Sequence, residues 1–180
     1  MTSDGPPFRA DHVGSLLRPA ALLRAREERA AGRLSAAGLR AAEDEAIREV
    51  VALQEKVGLR SATDGEFRRR SWHMDFLYQL GGVSKAQDDL TIRFHNASGG
   101  IEFKPSALRV TGRLKLDGCI FGDDFLFLKS IAGPGSTPKL TIPSPSMLHY
   151  RSGETVIDYA GYTDMRVFWH DLAEAYSEEL

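Results

Sequence analysis

Two short extended runs, each ending in a polar turn built on glycine and separated by a long helical pattern, constrain this chain more than any other feature. The first is Phe8-Arg9-Ala10-Asp11-His12-Val13-Gly14-Ser15; the second, Leu59 to Thr63, leads into Asp64-Gly65-Glu66-Phe67-Arg68-Arg69-Arg70. Strand, polar turn, helix, strand and polar turn in succession make a βα repeat, whose turns at the strand ends surround one pocket. An α/β architecture is the expectation, with carboxylates at 64 and 66 beside a cationic run.

The stretch between the two turns reads as two helices. Ala20 to Ala31 is rich in Ala, Leu, Arg and Glu, with Pro19 near its first turn and Gly32 ending it. Ser35 is the expected N-cap of a longer helix to about Val57, where Leu39, Ala42, Ala46, Val50, Leu53 and Val57 share one face and Arg40, Asp44, Arg48 and Glu55 the solvated side. Ser71 to Leu80 reads as a short helix closed by Gly81-Gly82.

From Leu90 to Leu116 the pattern changes to alternation. Leu90–Phe94, Ile101–Lys104 and Leu108–Leu114 are expected antiparallel strands, with a turn at Asn96–Gly100. Three such strands in succession do not belong to a pure βα alternation, so the region around 90–116 reads as a β-rich excursion from one domain covering 1–180. Asp123 to Ala132 is expected to be helical, and Lys139–Ile142 a short buried strand running into Pro143-Ser144-Pro145-Ser146. Thr163 is the expected cap of a last helix through Leu180, buried along Met165, Phe168, Leu172, Ala175 and Tyr176.

Bulk properties exclude several functions. The 180 residues are 42% hydrophobic and 27% charged, enough for a sizeable core. A net charge of -2 and a pI near 6.2 give no basic field for nucleic acid, and no duplex-binding motif is present. No apolar run approaches bilayer length, and Met1 to Pro7 has neither secretory nor transit character; a soluble cytoplasmic protein is expected, with no membrane partner. The single cysteine, Cys119, excludes an intramolecular disulfide, and its apolar neighbours Ile120 and Phe121 suit a buried, inert thiol.

Glu66, after a glycine at a strand end, is placed to accept hydrogen bonds from a ligand ammonium, against the blander reading of an ion pair with Arg68, Arg69 or Arg70. Asp64 either forms an Asx turn or lines the pocket. Gly14 would let a ligand approach the backbone, so amide groups there and the Ser15 hydroxyl are candidates for holding a carboxylate, although a tight turn alone also selects Gly-Ser. His12 points inward or serves as a hydrogen-bonded rim residue. Trp72 reads as core, with His73 and Met74 beside it. Ser144 and Ser146 lack a nucleophile-elbow pattern, no phosphate-cradling loop is present, and the histidines at 12, 73, 95, 149 and 170 lack close ligand spacing, so no metal residue is assigned.

Arg9–Pro19, Thr63–Arg69 and Lys139–Leu148, in that order, resemble the cobalamin-independent methionine synthase family, particularly its catalytic-barrel type and short single-domain members. The resemblance implies a TIM (β/α)₈ barrel in which the zinc-bound thiolate of homocysteine takes a methyl group from methyltetrahydrofolate, giving methionine. It assigns the homocysteine carboxylate to the Val13 backbone and Ser15, and the amino group to Glu66. His12 and Asp64 are further pocket candidates. Family members carry zinc ligands in the later half of the barrel, so the resemblance implies an N-terminal portion, inactive alone. Its expected partners are the missing C-terminal half or a second copy as a homodimer. Two other functions share these residues: a related zinc-barrel alkyltransferase acting on another thiol such as coenzyme M, and a non-catalytic half-barrel binding module.

Overall fold

The computed structural model describes residues 11–87, 92–96, 99–103, 106–149, 156–158 and 161–180. The chain divides into two compact units, Met1–Arg70 with Phe121–Thr141, and Ser71–Ile120 with Ile142–Leu180.

The first unit is α/β. Helix α1 (Ala20–Ala30) starts after Pro19, whose fixed φ suits the position, and ends before Gly32 at φ 73. Helix α2 (Ala36–Lys56) is capped by Ser35, whose Oγ accepts the Gly38 N–H at 3.0 Å, and Gly58 at φ 84 follows its end. Strand β1 (Ser61–Ala62) pairs in parallel with a strand late in the chain, Thr137–Pro138, numbered β6 in chain order. Thr137 N–H donates to Arg60 O and Lys139 N–H to Ala62 O, both at 2.8 Å; in this alternation Pro138, which has no N–H to donate, occupies the position that needs none. Helix α4 (Gly122–Ile131) carries Asp123 and Asp124 in its first turn, where the helix dipole favours acids. Leu22, Ala46, Ile47, Val51, Ala62, Phe67 and Leu128 form the core between these helices and β1.

The second unit contains a one-turn helix α3 (Met74–Leu77), strands β2 (Gly81–Gln87), β3 (Ile92–Asn96), β4 (Gly99–Phe103) and β5 (Ser106–Lys115), and helix α5 (Met165–Glu179). The strands form two antiparallel pairs, β2 with β5 and β3 with β4. Helix α5 packs against β5, burying Phe168, Asp171, Leu172, Ala175 and Tyr176. A 3₁₀ turn, Pro145–Leu148, lies beside it, and Tyr176 donates to Pro143 O at 3.0 Å.

Several expectations change. The buried stripe of α2 is Glu43, Ala46, Ile47, Val51 and Gln54, while Leu53 is 55% exposed and Val57 lies open. The helix is rotated because Gln54 turns inward to serve main-chain groups of Thr63. The opposite face is not simply solvated, since Asp44 pairs with Arg68 and Glu55 accepts the Gly133 N–H at 2.7 Å. Gly81-Gly82 opens β2 instead of closing a helix. A Cβ on Gly82, at φ 82, would lie 2.4 Å from Arg113 O, a close crossing at the bulge between Gly81 and Val83 that only glycine permits. Residues 139–142 form no strand, because the pairing with β1 ends at Pro138. Asp164, not Thr163, caps α5, accepting the Arg166 N–H at 2.9 Å. Trp72 is 46% exposed, packed on His73 with ring centroids 4.5 Å apart, and Cys119 is exposed.

Phe8 to Ala10, Leu90, Thr91, Lys104 and the centre of the expected turn, Ala97-Ser98, lie outside the described residues, and Asp11–Ser15 belongs to no strand. Among the described residues the sheets are three two-stranded pairs, none of them closed.

Candidate functional site

The polar segments at 63–70 and 139–141 follow the carboxyl ends of β1 and β6, the end of parallel strands where α/β proteins bind ligands. The segment Asp11–Ser15 is fastened across both. Thr63 Oγ1 donates to Gly14 O at 2.8 Å, Thr141 Oγ1 to Val13 O at 2.9 Å, and Leu16 N–H to Gly65 O at 3.1 Å. Lys139 Nζ bonds His12 O and, at 3.0 Å, Asp11 Oδ1, which also accepts from Ser61 Oγ at 2.8 Å. These contacts, the Lys139 bond above all, hold the Asp11 carboxyl well below the usual carboxylate range.

Thr63 is fixed from beneath by the buried Gln54. The Gln54 amide accepts the Thr63 N–H at 2.9 Å and donates to Thr63 O at 2.9 Å and Val50 O at 3.0 Å. With the Thr63 hydroxyl proton directed to Gly14 O, His12 donates to Thr63 Oγ1 from Nε2 at 3.2 Å. His12 is thus a partly buried rim residue.

Asp64 forms the Asx turn, its Oδ1 accepting the Glu66 N–H at 2.9 Å. The turn places Glu66 at φ 58, the one described non-glycine residue with positive φ. A glutamate gains nothing intrinsic from that conformation, and such strain concentrates where a side chain must be aimed. The Glu66 carboxylate is buried, 5% of the residue being exposed, and Arg69 Nη1 lies 3.6 Å from Oε1. Burial raises the Glu66 pKa, opposed by Arg69 and reinforced by Asp64.

Glu66 and the Gly14 turn share one place. A Cβ built on Gly14 would sit 3.6 Å from Glu66 Oε1 and only 2.2 Å from Thr141 Oγ1, so a side chain there would displace the Thr141 hydroxyl from its bond to Val13 O. Val13 and Ser15 flank it, Val13 80% exposed and Ser15 exposed. With the carbonyls of 13 and 14 occupied by threonine hydroxyls, the arrangement offers a buried carboxylate beside a short backbone segment ending in an open hydroxyl.

The three arginines of the acidic turn separate. Arg68 bonds Asp44, lies 3.3 Å from Asp124 and stacks over Phe127 at 4.9 Å; Arg69 is buried over Phe121 at 4.4 Å; Arg70 is exposed. Thr63, Gln54, Lys139 and Thr141 escaped the sequence reading of the site because their partners are main-chain groups distant in sequence. The threonines just beyond two parallel strands were the available signal. A cavity of about 380 Å³ lined by Glu55, Leu59, Arg60, Pro134 and Ser136 precedes β1 and β6, at the amino ends of the strands, so it is distinct from this site.

The described side chains offer no ligand set for zinc. Among the described residues no group of three or more His, Cys, Asp or Glu could hold a metal ion. No described helix is long and apolar enough to cross a membrane.

No family model matches the chain. Two uncharacterized proteins of Bacillus subtilis (strain 168), YxjG and YxjH, are 42% and 44% identical to it over 175 and 174 residues. Each alignment covers 97% of this chain and 44% of the relative. The solved structure of a Listeria monocytogenes protein described as "Putative Vitamin-B12 Independent Methionine Synthase" superposes with a TM-score of 0.74 at 40% identity, covering 96% of this chain and 46% of that one. A B12-independent methionine synthase from Shewanella sp. W3-18-1, in complex with selenomethionine, gives 0.62 at 20% identity over 93% and 45%, a likeness of fold alone. The solved structures this chain resembles are therefore of the vitamin-B12-independent methionine synthase kind. It spans a little under half the length of these relatives.

Proposed function

We propose that this chain supplies the amino-acid-holding part of a methyltransferase that moves a methyl group from 5-methyltetrahydrofolate, as its polyglutamate, to the thiol of homocysteine, giving methionine. The observation that carries this is the Glu66 carboxylate beside Gly14, between the exposed Val13 and Ser15. An α-amino acid has an ammonium and a carboxylate one carbon apart. Glu66 accepts the ammonium, and the Val13 backbone N–H with the Ser15 hydroxyl holds the carboxylate, leaving the thiol-bearing side chain directed away from both. His12 and Asp64 shape the rim, through Thr63 and the Glu66 N–H respectively.

In the transfer the thiol loses its proton, the sulfur–carbon bond forms, and the methyl–nitrogen bond breaks with its electron pair left on the folate nitrogen, which takes up a proton. This chain's part is to bind and orient the acceptor. Zinc, whose chemistry would lower the thiol pKa, and the folate would be held by residues other than those described here. The fold proposed is the N-terminal part of a (β/α)₈ barrel, supported by parallel β1 and β6 with polar segments at their carboxyl ends and by the neighbours' similarity. The chain alone, on this reading, does not turn over and associates with a complementary half or a second copy.

Calorimetric titration with reduced L-homocysteine tests the assignment. Binding should weaken about tenfold or more in Glu66→Gln, the usual scale for losing a charged partner. Equal affinity in the two proteins overturns it. Incubation with zinc, homocysteine and methyl-folate should give no methionine from the chain alone, and light scattering should show a species larger than the monomer.

A further inference from the structure

Arg18 ties the two ends of the candidate site together. It lies three residues after Ser15, yet its Nη2 donates to Glu66 O at 2.7 Å and to Arg69 O at 2.6 Å, and its Nε to Phe67 O at 3.3 Å. Arg26, on α1, adds bonds from Nη1 to Phe67 O at 2.8 Å and from Nη2 to Arg69 O at 3.3 Å. Two guanidinium groups thus gather the carbonyls of residues 66, 67 and 69. A rigid planar fork holds several carbonyls in fixed directions with less freedom lost per bond than a lysine ammonium on its flexible stem.

The gathered turn is the one that holds Glu66 at φ 58. A non-glycine residue stays in that region only where its surroundings over-determine it. Leu16 N–H to Gly65 O at 3.1 Å fixes the same two segments to each other at the main-chain level, and within the turn the Glu66 carbonyl accepts the Arg69 N–H at 3.1 Å beside the bond from Arg18. The Glu66 carbonyl is placed by φ and ψ, and the direction in which its side chain leaves the main chain by φ, so a bond that pins the carbonyl restrains the backbone from which the carboxylate is presented.

We propose that Arg18, assisted by Arg26, is a positioning residue that imposes the left-handed conformation of Glu66 and so aims its carboxylate at the ammonium of an amino acid seated against Gly14 and Ser15. The role rests on the amino-acid reading of that site. The three Arg18 bonds given above end on main-chain oxygens of the turn, and its charge also favours the ionised form of Glu66. Arg18 spans the carboxylate-holding and ammonium-holding ends, and so sets their separation.

The test uses the full chain and two titrants, reduced L-homocysteine and 4-mercaptobutanoate, which lacks the amine. In Arg18→Met, homocysteine affinity should fall about tenfold while that of 4-mercaptobutanoate stays within about twofold. Amide exchange at Phe67 and Arg69, whose N–H groups bond Asp64 O and Glu66 O, should accelerate about tenfold. Adding Glu66→Gly should return exchange toward the original rate, because glycine takes this conformation unaided. Arg18→Lys, which keeps the charge and stem, should lie between the two and carries the test should Arg18→Met not fold. Equal loss of both titrants marks a general structural role and overturns the proposal, as does unchanged exchange. If the unaltered chain binds no homocysteine, or Glu66→Gln binds it equally well, the amino-acid reading fails and the aiming role falls with it; the exchange arm still decides separately whether Arg18 holds the turn.

Discussion

Glu66 in the first unit and Asp171 in the second are both buried carboxylates beside an arginine, and their proton affinities shift in opposite directions. Asp171 receives Arg113 through two bonds, Nε to Oδ2 at 2.5 Å and Nη2 to Oδ1 at 2.7 Å, and Tyr162 donates to Oδ2 at 2.7 Å. Tyr162 in turn accepts the Leu114 N–H at 2.6 Å. The bond from Arg113 leads in lowering the Asp171 pKa, and the network closes on itself as a fastener between β5 and α5. Glu66 has Arg69 at 3.6 Å, beyond a good hydrogen bond, and burial dominates its upward shift. Asp171 is held by short, direct hydrogen bonds, whereas Glu66 meets Arg69 at ion-pair distance, and on the proposed function a ligand ammonium would complete its surroundings.

The largest effect should come from neither charge. Phe168 in α5 is fully buried, with Tyr162 edge-on at 5.4 Å between ring centroids. Phe168→Ala should cost about 3–5 kcal/mol, measured by denaturant unfolding and by exchange of α5 amides. A loss below about 1 kcal/mol would mean that the second unit depends on its polar fastener more than on packing. In the first unit the corresponding test is Gln54→Ala, which strips partners from both main-chain groups of the buried Thr63. The expected cost is about 2–3 kcal/mol. Homocysteine binding should weaken as well, since Thr63 holds Gly14; stability lost with binding intact would separate Gln54 from the site.

Tyr162→Phe should cost about 1–2 kcal/mol, because Leu114 N–H and Asp171 each lose a partner. The Asp171 contribution has a defined pH window. Its folded pKa lies below the ordinary 3.8, so its stabilisation is present above that value and disappears as pH falls through the lower folded one. Asp171→Asn should therefore flatten the acid limb of the melting-temperature profile. An unchanged limb would show that the fastener is not electrostatic.

Helices with local signals are legible in the sequence: Pro19 opening α1, Ser35 capping α2, and the apolar run of α4. Alternation located most of β5 and parts of β3 and β4, but pairing is a long-range property. Gly81-Gly82 looked like a helix stop because the close crossing with Arg113 O, which requires glycine there, has no local signature. Periodicity misplaced the α2 stripe by about one position for a similar reason, since Gln54 is buried to satisfy Thr63 and not for its hydrophobicity. At the site, Gly-Ser and Gly-Glu after extended runs marked the two ends. The fastening by Arg18, Arg26 and Thr141 stayed invisible, because guanidinium and hydroxyl groups that bond carbonyls leave no pattern of paired side chains. The two exposure reversals, Trp72 and Cys119, mark where local apolar neighbours were a poor guide to depth.

The smallest effect bears most directly on the contrast between the two carboxylates. Well below pH 4.5, the ordinary glutamate value, Glu66 is protonated in both folded and unfolded chains, and Glu66→Gln should have nearly the wild-type melting temperature. Above that value the unfolded chain ionises first, so the wild type loses stability until the pH passes the raised folded pKa. The melting temperature of Glu66→Gln minus that of the wild type should accordingly rise across this interval and then level off. Glu43, also shifted upward chiefly by burial, contributes to both proteins and cancels in the difference. A difference that stays flat or falls with pH would make Glu66 a satisfied ion-pair member like Asp171. The buried carboxylate would then have no unmet demand for an ammonium group to fill.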